Sequence, residues 1–193
     1  LTFNASSMIL SVHNDASYLT EPRARSRAGG HFFMSDNSPN PPNNGAILNI
    51  AQIIKAVMSS AAEAEIGALY INSRQAIPAQ TTAEEMGHPQ PPTPIQTDNT
   101  TALGFVMKNL QPRATKSTDM KYWFMRDRED QGQFRYYWGA GKGNNGDYWT
   151  KYFCSAHHRE KRPTFLTPAS VVNALRESLG KPPHVFSSSK RVC

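Results

Sequence analysis

MILSVHNDAS, residues 8–17, followed by AGGHFFMS, residues 28–35, decides the fold. Met8, Leu10 and Val12 alternate with Ile9, Ser11 and His13, the period of two that belongs to a strand with one face on a core. Asp15 lies at or just past the C-terminal end of that strand. Residues 20–28, TEPRARSRA, form a basic hairpin-type connection, and AGGHFFMS is the second strand. SDNSPNPPNNG at 35–45 is turn chemistry throughout: Gly frees φ, Pro fixes it, and Asn bonds its own backbone. AILNI, extendable into IIKAVMS, is a third strand. Three consecutive strands joined by turns predict an antiparallel meander.

From residue 59 the period changes. Ser59 and Ser60 are N-cap candidates. Ala62, Ile66, Leu69, Tyr70, Ser73 and Ile77 fall on one helical stripe, with Glu63 and Glu65 flanking it on opposite sides. TTAEEMG at 81–87 predicts a short second helix capped by Thr81 or Thr82, and PQPPTP at 89–94 is a stiff linker that ends the helical stretch. Ile95–Thr97 is a short buried strand closed by Asp98 and Asn99. TTALGFVMKNL then opens a helix with Thr100 or Asp98 as its cap. Residues 117–131 read as a charged amphipathic helix, FRYYW at 134–138 as a fifth strand, and GAGKGNNG at 139–146 as a flexible basic loop. Asp147 begins or caps a short helix, DYWTKYF. The order is β-β-β-α-β-α-α-β-α, an α/β arrangement without an internal repeat, a P-loop, a strand-linked GxGxxG, HExxH or GxSxG. The organisation expected is a domain over 1–155 and a basic extension over 156–193, partly helical or disordered.

The chain has 193 residues, 38% apolar and 19% charged, enough for one domain with its own core and a tail. No apolar run reaches the ~18–20 residues that span a bilayer, which excludes a transmembrane helix. The opening LTFNASSMIL has neither an initiator Met nor a basic leader and reads as a piece of a longer polypeptide. Cys154 and Cys193 cannot build a disulfide framework or a four-Cys zinc site, a usage that fits a reducing, intracellular setting. The net charge is +6. All of that surplus sits in residues 108–162, which hold 12 Lys or Arg against 6 Asp or Glu and 11 of the chain's 19 aromatics. Basic residues interleaved with aromatics suit a polyanion. The same composition also describes a basic solvated face above an aromatic core strand.

Four acids stand where chemistry is often built: Asp15 at the end of the first strand, Glu65 early in the first long helix, Asp98 at the end of the fourth strand, and Asp147 after the fifth. If the first and fourth strands are central neighbours, the carboxylates converge at one end of the sheet. Clustered carboxylates repel, and their common purpose is to bind hard divalent cations shared with substrate phosphates. Taken singly, Asp15 suits a turn, Glu65 a helix surface, and Asp98 and Asp147 N-caps. By periodicity Glu63 is as good a ligand as Glu65.

HNDASYL with RSRAGGHFF, SSAAEAE, IQTDNTTAL, the helix RATKSTDMKYWFMRDRE and GDYWTK occur in this order over residues 8–153. In these stretches the chain resembles the ribonuclease H domain of copia-type LTR-retroelement reverse transcriptases, a part of the Pol polyprotein. The resemblance implies an RNase H-like α/β fold: a five-stranded mixed sheet, an antiparallel meander of strands one to three followed by strands four and five, with flanking helices. It implies endonucleolytic cleavage of the RNA strand of RNA–DNA hybrids by two-metal-ion hydrolysis, with two Mg²⁺ ions for which Mn²⁺ can substitute, and no small-molecule cofactor. It also implies a reverse transcriptase polymerase domain upstream in the same polyprotein, no membrane partner, and an intracellular site, a cytoplasmic virus-like particle or the nucleus. The family's catalytic, metal-binding acids map onto Asp15, Glu65, Asp98 and Asp147. Glu65 is preferred over Glu63 because the family helix reads Glu-x-x-Ala, here Glu65-Ile66-Gly67-Ala68. Hybrid contacts are expected from Arg27, Gly29, Asn99, Arg113, Lys116, Lys121, Arg126 and Lys142.

The chain departs from the family in three places. Ile66 replaces an aromatic, RATKSTD lacks the usual His, and Gly146 replaces an Ala. None removes an acid, but they keep a second reading open, a catalytically decayed, retroelement-derived fragment that binds nucleic acid without cutting it. A DDE-type integrase or resolvase is disfavoured because the Glu falls between the first and second Asp. Cys154, His157 and His158 resemble half a metal site without further ligands at a useful spacing. Phe134, Tyr136 and Trp138 are expected in the core rather than as a stacking platform, and Trp149 is expected to pack the last helix onto the sheet.

Overall fold

Alternation along residues 9–21 builds a strand longer than its apolar half suggests. The structure, a computed structural model, describes residues 3–107, 116–165 and 169–178. Strand β1 (Ile9–Glu21) pairs antiparallel with β2 (Arg25–Ser35), and β2 with β3 (Ala46–Ile53). The other edge of β1 pairs parallel with β4 (Thr93–Thr97), which pairs parallel with β5 (Phe134–Trp138). The sheet order is β3-β2-β1-β4-β5. Asp15 therefore lies inside β1 rather than at its end. The reason is that β1 has two partners of different length. Its register with β4 ends at His13↔Gln96, whereas the hairpin with β2 continues through Ser17↔Arg27 to Glu21↔Arg25.

The period-3.6 stretch forms a single helix, α1 (Ala61–Glu85). Ser60 is its N-cap and accepts from the Glu63 N–H, while the Glu63 carboxylate accepts from the N–H and hydroxyl of Ser59. These reciprocal bonds satisfy N-terminal donors that the helix leaves unpaired. The separate helix expected at 81–87 is instead the continuation of α1 through Pro78. Pro78 is exposed, so water can reach the carbonyl four residues before it, while Ala76, Gln80 and Ala83 keep the buried stripe going. Helix α2 (Thr100–Val106) is capped by Asn99, whose Oδ1 accepts from the Ala102 N–H, and not by Asp98 or Thr100. Helix α3 (Lys116–Asp130) follows; Arg113 lies outside the described residues.

The core lies between the sheet and the helices: Leu10, Val12, Phe32, Leu69, Ile95, Met125, Phe134 and Tyr136 are buried in one cluster. Ala28, Ile54, Met58, Ala64 and Ala68 form a second cluster under the first turns of α1. Phe134 and Tyr136 take the expected core positions, but Trp138, at the strand's end, is 51% exposed. The helix expected over DYWTKYF is a single 3-10 turn, Asp147–Trp149. There the Thr150 hydroxyl lies against the Asp147 carbonyl and the Asp15 carboxylate, a side-chain alternative to helical continuation.

By contacts the chain divides into two units, Phe3–Tyr152 and a second that begins at Phe153. The second contains α4 (Ser155–Phe165) and α5 (Ala169–Ser178). There Phe153 stacks on His157 at 4.0 Å. The tail beyond residue 178 lies outside the described residues. Among the described residues no helix is long and apolar enough to cross a membrane.

Candidate active site

Consecutive residues of a strand face opposite sides of the sheet, and β1 uses both. Asn14 faces α1, where it accepts from Asn72 Nδ2 at 2.7 Å; the same amide donates to the Gly29 carbonyl at 2.8 Å. Asp15 faces the other side, where its Oδ2 accepts from the Thr150 hydroxyl. Parallel pairing of β1 and β4 carries Asp98, one residue past β4, to the same end of the sheet. Glu65 comes from the second turn of α1. Its Oε1 accepts from the Ala16 N–H at 3.2 Å, beyond the last β1–β4 pair, and its Oε2 lies 3.4 Å from Asn14 Nδ2. One carboxylate oxygen from each of Asp15, Glu65 and Asp98 lies within 4.8 Å of the others. Glu63, by contrast, is committed to Ser59.

The three carboxylates share one electrostatic problem. Burial pushes Glu65 up to about 9, and the nearby Asp15 and Asp98 push the same way. Burial pushes Asp15 up to about 6 against the opposing effects of Thr150 and Lys151. Asp98 is also raised, chiefly by burial. Desolvation and like charge both penalise the ionised form. All donors in the cluster are oxygens, the set that hard divalent cations take, and the strain between them is the kind a cation relieves.

Asp147 is carried on a separate segment that lies over the Asp15 face of the sheet. Asn144, 5% exposed, clamps it: its Nδ2 donates to the Asn14 carbonyl at 2.7 Å and its Oδ1 accepts from the Gly146 N–H at 2.9 Å. The Asn145 N–H donates to His13 Nδ1 at 3.2 Å. The segment comes so close to β2 that a Cβ at Gly29 would sit 2.5 Å from Thr150 Cγ2 and 2.6 Å from the Gly146 carbonyl. A Cβ at Gly141 would sit 2.7 Å from Asp98 Oδ2. Asp147 lies outside the three-carboxylate group, and its Oδ1 accepts from Lys151 Nζ. Trp149 is half-buried and meets Tyr148 edge to face.

The residues expected to contact hybrid are placed unequally. Lys142 is exposed on the 3-10 turn Gly141–Gly143, and Lys121 is half-buried on α3. Lys116 opens α3. Asn99 is half-buried beside Asp98 and uses Oδ1 in its cap. Gly29 is buried beneath the Asp147 segment. Arg27 is tied to Glu21 at 2.6 Å, with Tyr152 beside both. Arg126, 7% exposed, bonds the Phe105 carbonyl through Nε and Nη2 and lies over the Tyr122 ring at 4.0 Å, which commits its charge to the α2–α3 junction. Cys154, His157 and His158 do not form a metal-ligating group among the described residues.

Sequence reasoning missed Asn14, Asn72, Asn144, Thr150 and Lys151 as shapers of the site. Thr150 and Lys151 stand within the GDYWTK stretch, so a signal existed there. For the three asparagines only the folded contacts reveal the network.

Among solved structures, LC11-RNase H1, isolated from compost by a metagenomic approach, matches with a TM-score of 0.52 and 9% identity over 74% of this chain and 93% of that one. The chain has the ribonuclease H fold. LC11-RNase H1 in complex with an RNA/DNA hybrid matches with a TM-score of 0.50 and 10% identity, over 73% of this chain and 93% of that one. The N-terminal RNase H domain of rv2228c from Mycobacterium tuberculosis, as a maltose-binding-protein fusion, matches with a TM-score of 0.47 and 12% identity, over 74% and 91%. No protein-family model and no curated protein matches the chain. The five-stranded order and flanking helices of the ribonuclease H fold are thus present at an identity that carries architecture alone.

Proposed function

We propose that the chain is an endoribonuclease that hydrolyses the RNA strand of RNA–DNA hybrids. The observation that carries this reading is the meeting of Asp15, Glu65 and Asp98 at the shared end of β1 and β4. Asp15, Glu65 and Asp98 would hold one divalent ion, Asp15 and Asp147 a second, with Mg²⁺ as the natural ion and Mn²⁺ as a substitute. Ions bound there supply a water of lowered pKa and neutralise charge on the phosphate. The protein's own part is placement. Thr150 orients Asp15, while the Ala16 N–H and the Asn14 amide orient Glu65. Cleavage leaves 5′-phosphate and 3′-hydroxyl ends.

Recognition in this reading is by shape, through phosphates and 2′-hydroxyls. Lys142, Lys121 and Asn99 are the contacts best supported by their positions, with Lys116 and Arg113 flanking them in sequence. The quoted copia-type motifs support a retroelement context, with a polymerase domain upstream in the same polyprotein and reverse transcription inside the cell, in a cytoplasmic virus-like particle or the nucleus.

The test is cleavage of labelled RNA–DNA hybrid, double-stranded RNA and double-stranded DNA, each with Mg²⁺ or EDTA. Hybrid alone is cut, only with the metal. Asp98→Asn lowers the rate roughly a hundredfold or more, since even residues that merely orient metal ligands cost ten- to a hundredfold. Undiminished cleavage by Asp98→Asn refutes the assignment. Metal-independent binding of hybrid without any cutting by the wild-type chain would select the decayed, binding-only alternative.

A further inference from the structure

Among the described residues, Lys151 is the basic side chain whose charge all three clustered carboxylates feel: it counters Asp15, Glu65 and Asp98 alike. Its Nζ is bonded to Asp147, four residues back on the same turn. The next residue toward the N-terminus, Thr150, is buried and holds Asp15, so the backbone that carries Lys151 is fixed relative to the cluster. The Lys151 side chain is 49% exposed and the Asp147 side chain 27%. A lysine ammonium is a compact point charge on a flexible stem, able to let go of one carboxylate and turn to water without moving the backbone. Partial burial pulls the Lys151 pKa down, yet Asp147, Asp15 and Asp98 hold it above the ordinary lysine value. The ammonium is thus charged while it occupies the carboxylate that the cluster lacks.

We propose that Lys151 is the built-in counter-cation of this site, which keeps Asp147 out of the three-carboxylate group until a divalent ion displaces the ammonium. The inference rests on the metal-binding reading of the carboxylates given above. Lys151 then sets how much divalent ion the site needs, because an ion held by Asp15 and Asp147 must first break the Lys151–Asp147 pair, and an ion held by Asp15, Glu65 and Asp98 must sit near the same positive charge. A partly exposed ion pair contributes up to about 1 kcal/mol, which is roughly a fivefold change in a dissociation constant.

The measurement is Mn²⁺ binding to the full chain in the absence of nucleic acid, followed by electron paramagnetic resonance of the free ion, for wild type, Lys151→Gln and Lys151→Arg. Both substitutions alter a half-exposed side chain outside the core. The expected result is Mn²⁺ binding two- to fivefold tighter in Lys151→Gln, with Lys151→Arg near wild type because the charge is kept. Equal or weaker binding by Lys151→Gln, with wild type still binding Mn²⁺, overturns the counter-cation role and leaves the metal site standing. No Mn²⁺ binding by any of the three overturns both. Combining Lys151→Gln with Asp147→Asn gives a second check: the gain from Lys151→Gln shrinks when Asp147 is no longer charged, and a gain of unchanged size overturns the role assigned to the Lys151–Asp147 pair.

Discussion

Glu65 is where the stability and the use of this molecule pull apart. The helical stripe that buries Ile66 and Leu69 also buries Glu65, 7% exposed, and points its carboxylate at two others. Its pKa rises from an ordinary 4.5 to about 9, so the folded chain binds a proton that the unfolded chain releases across that interval. The stability it contributes is fully present below the unfolded value and is lost as pH climbs toward the folded one. Glutamine has the same shape and nothing to ionise. Glu65→Gln should therefore raise the melting temperature of the metal-free protein at about pH 8 by roughly 4–8 °C, on the order of 2 kcal/mol, and change it little near pH 5. The same variant should lose hybrid cleavage. Calorimetry in EDTA at the two pH values checks it; a lower melting temperature at the higher pH would show that Glu65 is held by attractive contacts rather than tolerated against repulsion.

Helix α1 shows most plainly which elements a local pattern can and cannot reveal. The meander was legible because alternation in β1, the Asn-Pro-Gly run after β2 and the apolar AILNI are short-range signals. The unbroken course of α1 was not, because Pro78 removes a donor and crowds the preceding turn, the ordinary mark of a helix end. What overrides it is tertiary: Ala76, Gln80 and Ala83 stay buried on one side while Pro78 faces water on the other. Periodicity alone leaves Glu63 and Glu65 equivalent, since both flank the same stripe; the family resemblance favours Glu65, and the packing of α1 on β1 is what turns it inward while Glu63 bonds Ser59. Burial of Arg126 against Phe105 and Tyr122 also escaped the sequence, because an arginine on an amphipathic helix can snorkel or dock. The nearness of Asp98 to Asp15 depends on the parallel β1–β4 pairing, a contact between segments far apart in the chain. If Pro78 is simply endured, Pro78→Ala restores an N–H to the Arg74 carbonyl and should stabilise the protein by about 1–2 kcal/mol, with the carboxylate cluster at the far end of α1 untouched. Urea unfolding measures the first effect and hybrid cleavage the second; a destabilised variant would mean that the proline shapes α1 to its neighbours.

At the scale of the whole molecule, two buried titrating sets act on stability in opposite senses. His13 and His31 lie in a buried group with Phe33, their ring centroids 6.1 Å apart. Burial lowers His13 to about 3, with His31 adding to the effect, and burial also lowers His31 against the bonds to Asn49 and Asn44. Here the unfolded chain binds the extra protons, so the stability these histidines contribute is present above their ordinary 6.5 and lost as pH falls toward the lowered values. Asp15, raised to about 6, and Glu65, raised to about 9, act in the opposite sense, their contribution falling as pH rises from the ordinary carboxylate range. From the ordinary carboxylate values up to 6.5 the two sets oppose one another; below that range the histidines dominate, and above it Glu65 does. The metal-free protein should therefore have a stability profile that declines on both sides. Divalent ions bind ionised carboxylates, so saturating Mg²⁺ should leave the acid limb in place and lift the alkaline limb, the stabilisation growing with pH. Melting temperatures from about pH 4 to 9, with EDTA and with Mg²⁺, test both limbs at once. An Mg²⁺ effect of constant size across that range would mean that the ion binds away from Asp15 and Glu65, since only groups that must first lose their protons can make its stabilisation depend on pH in this direction.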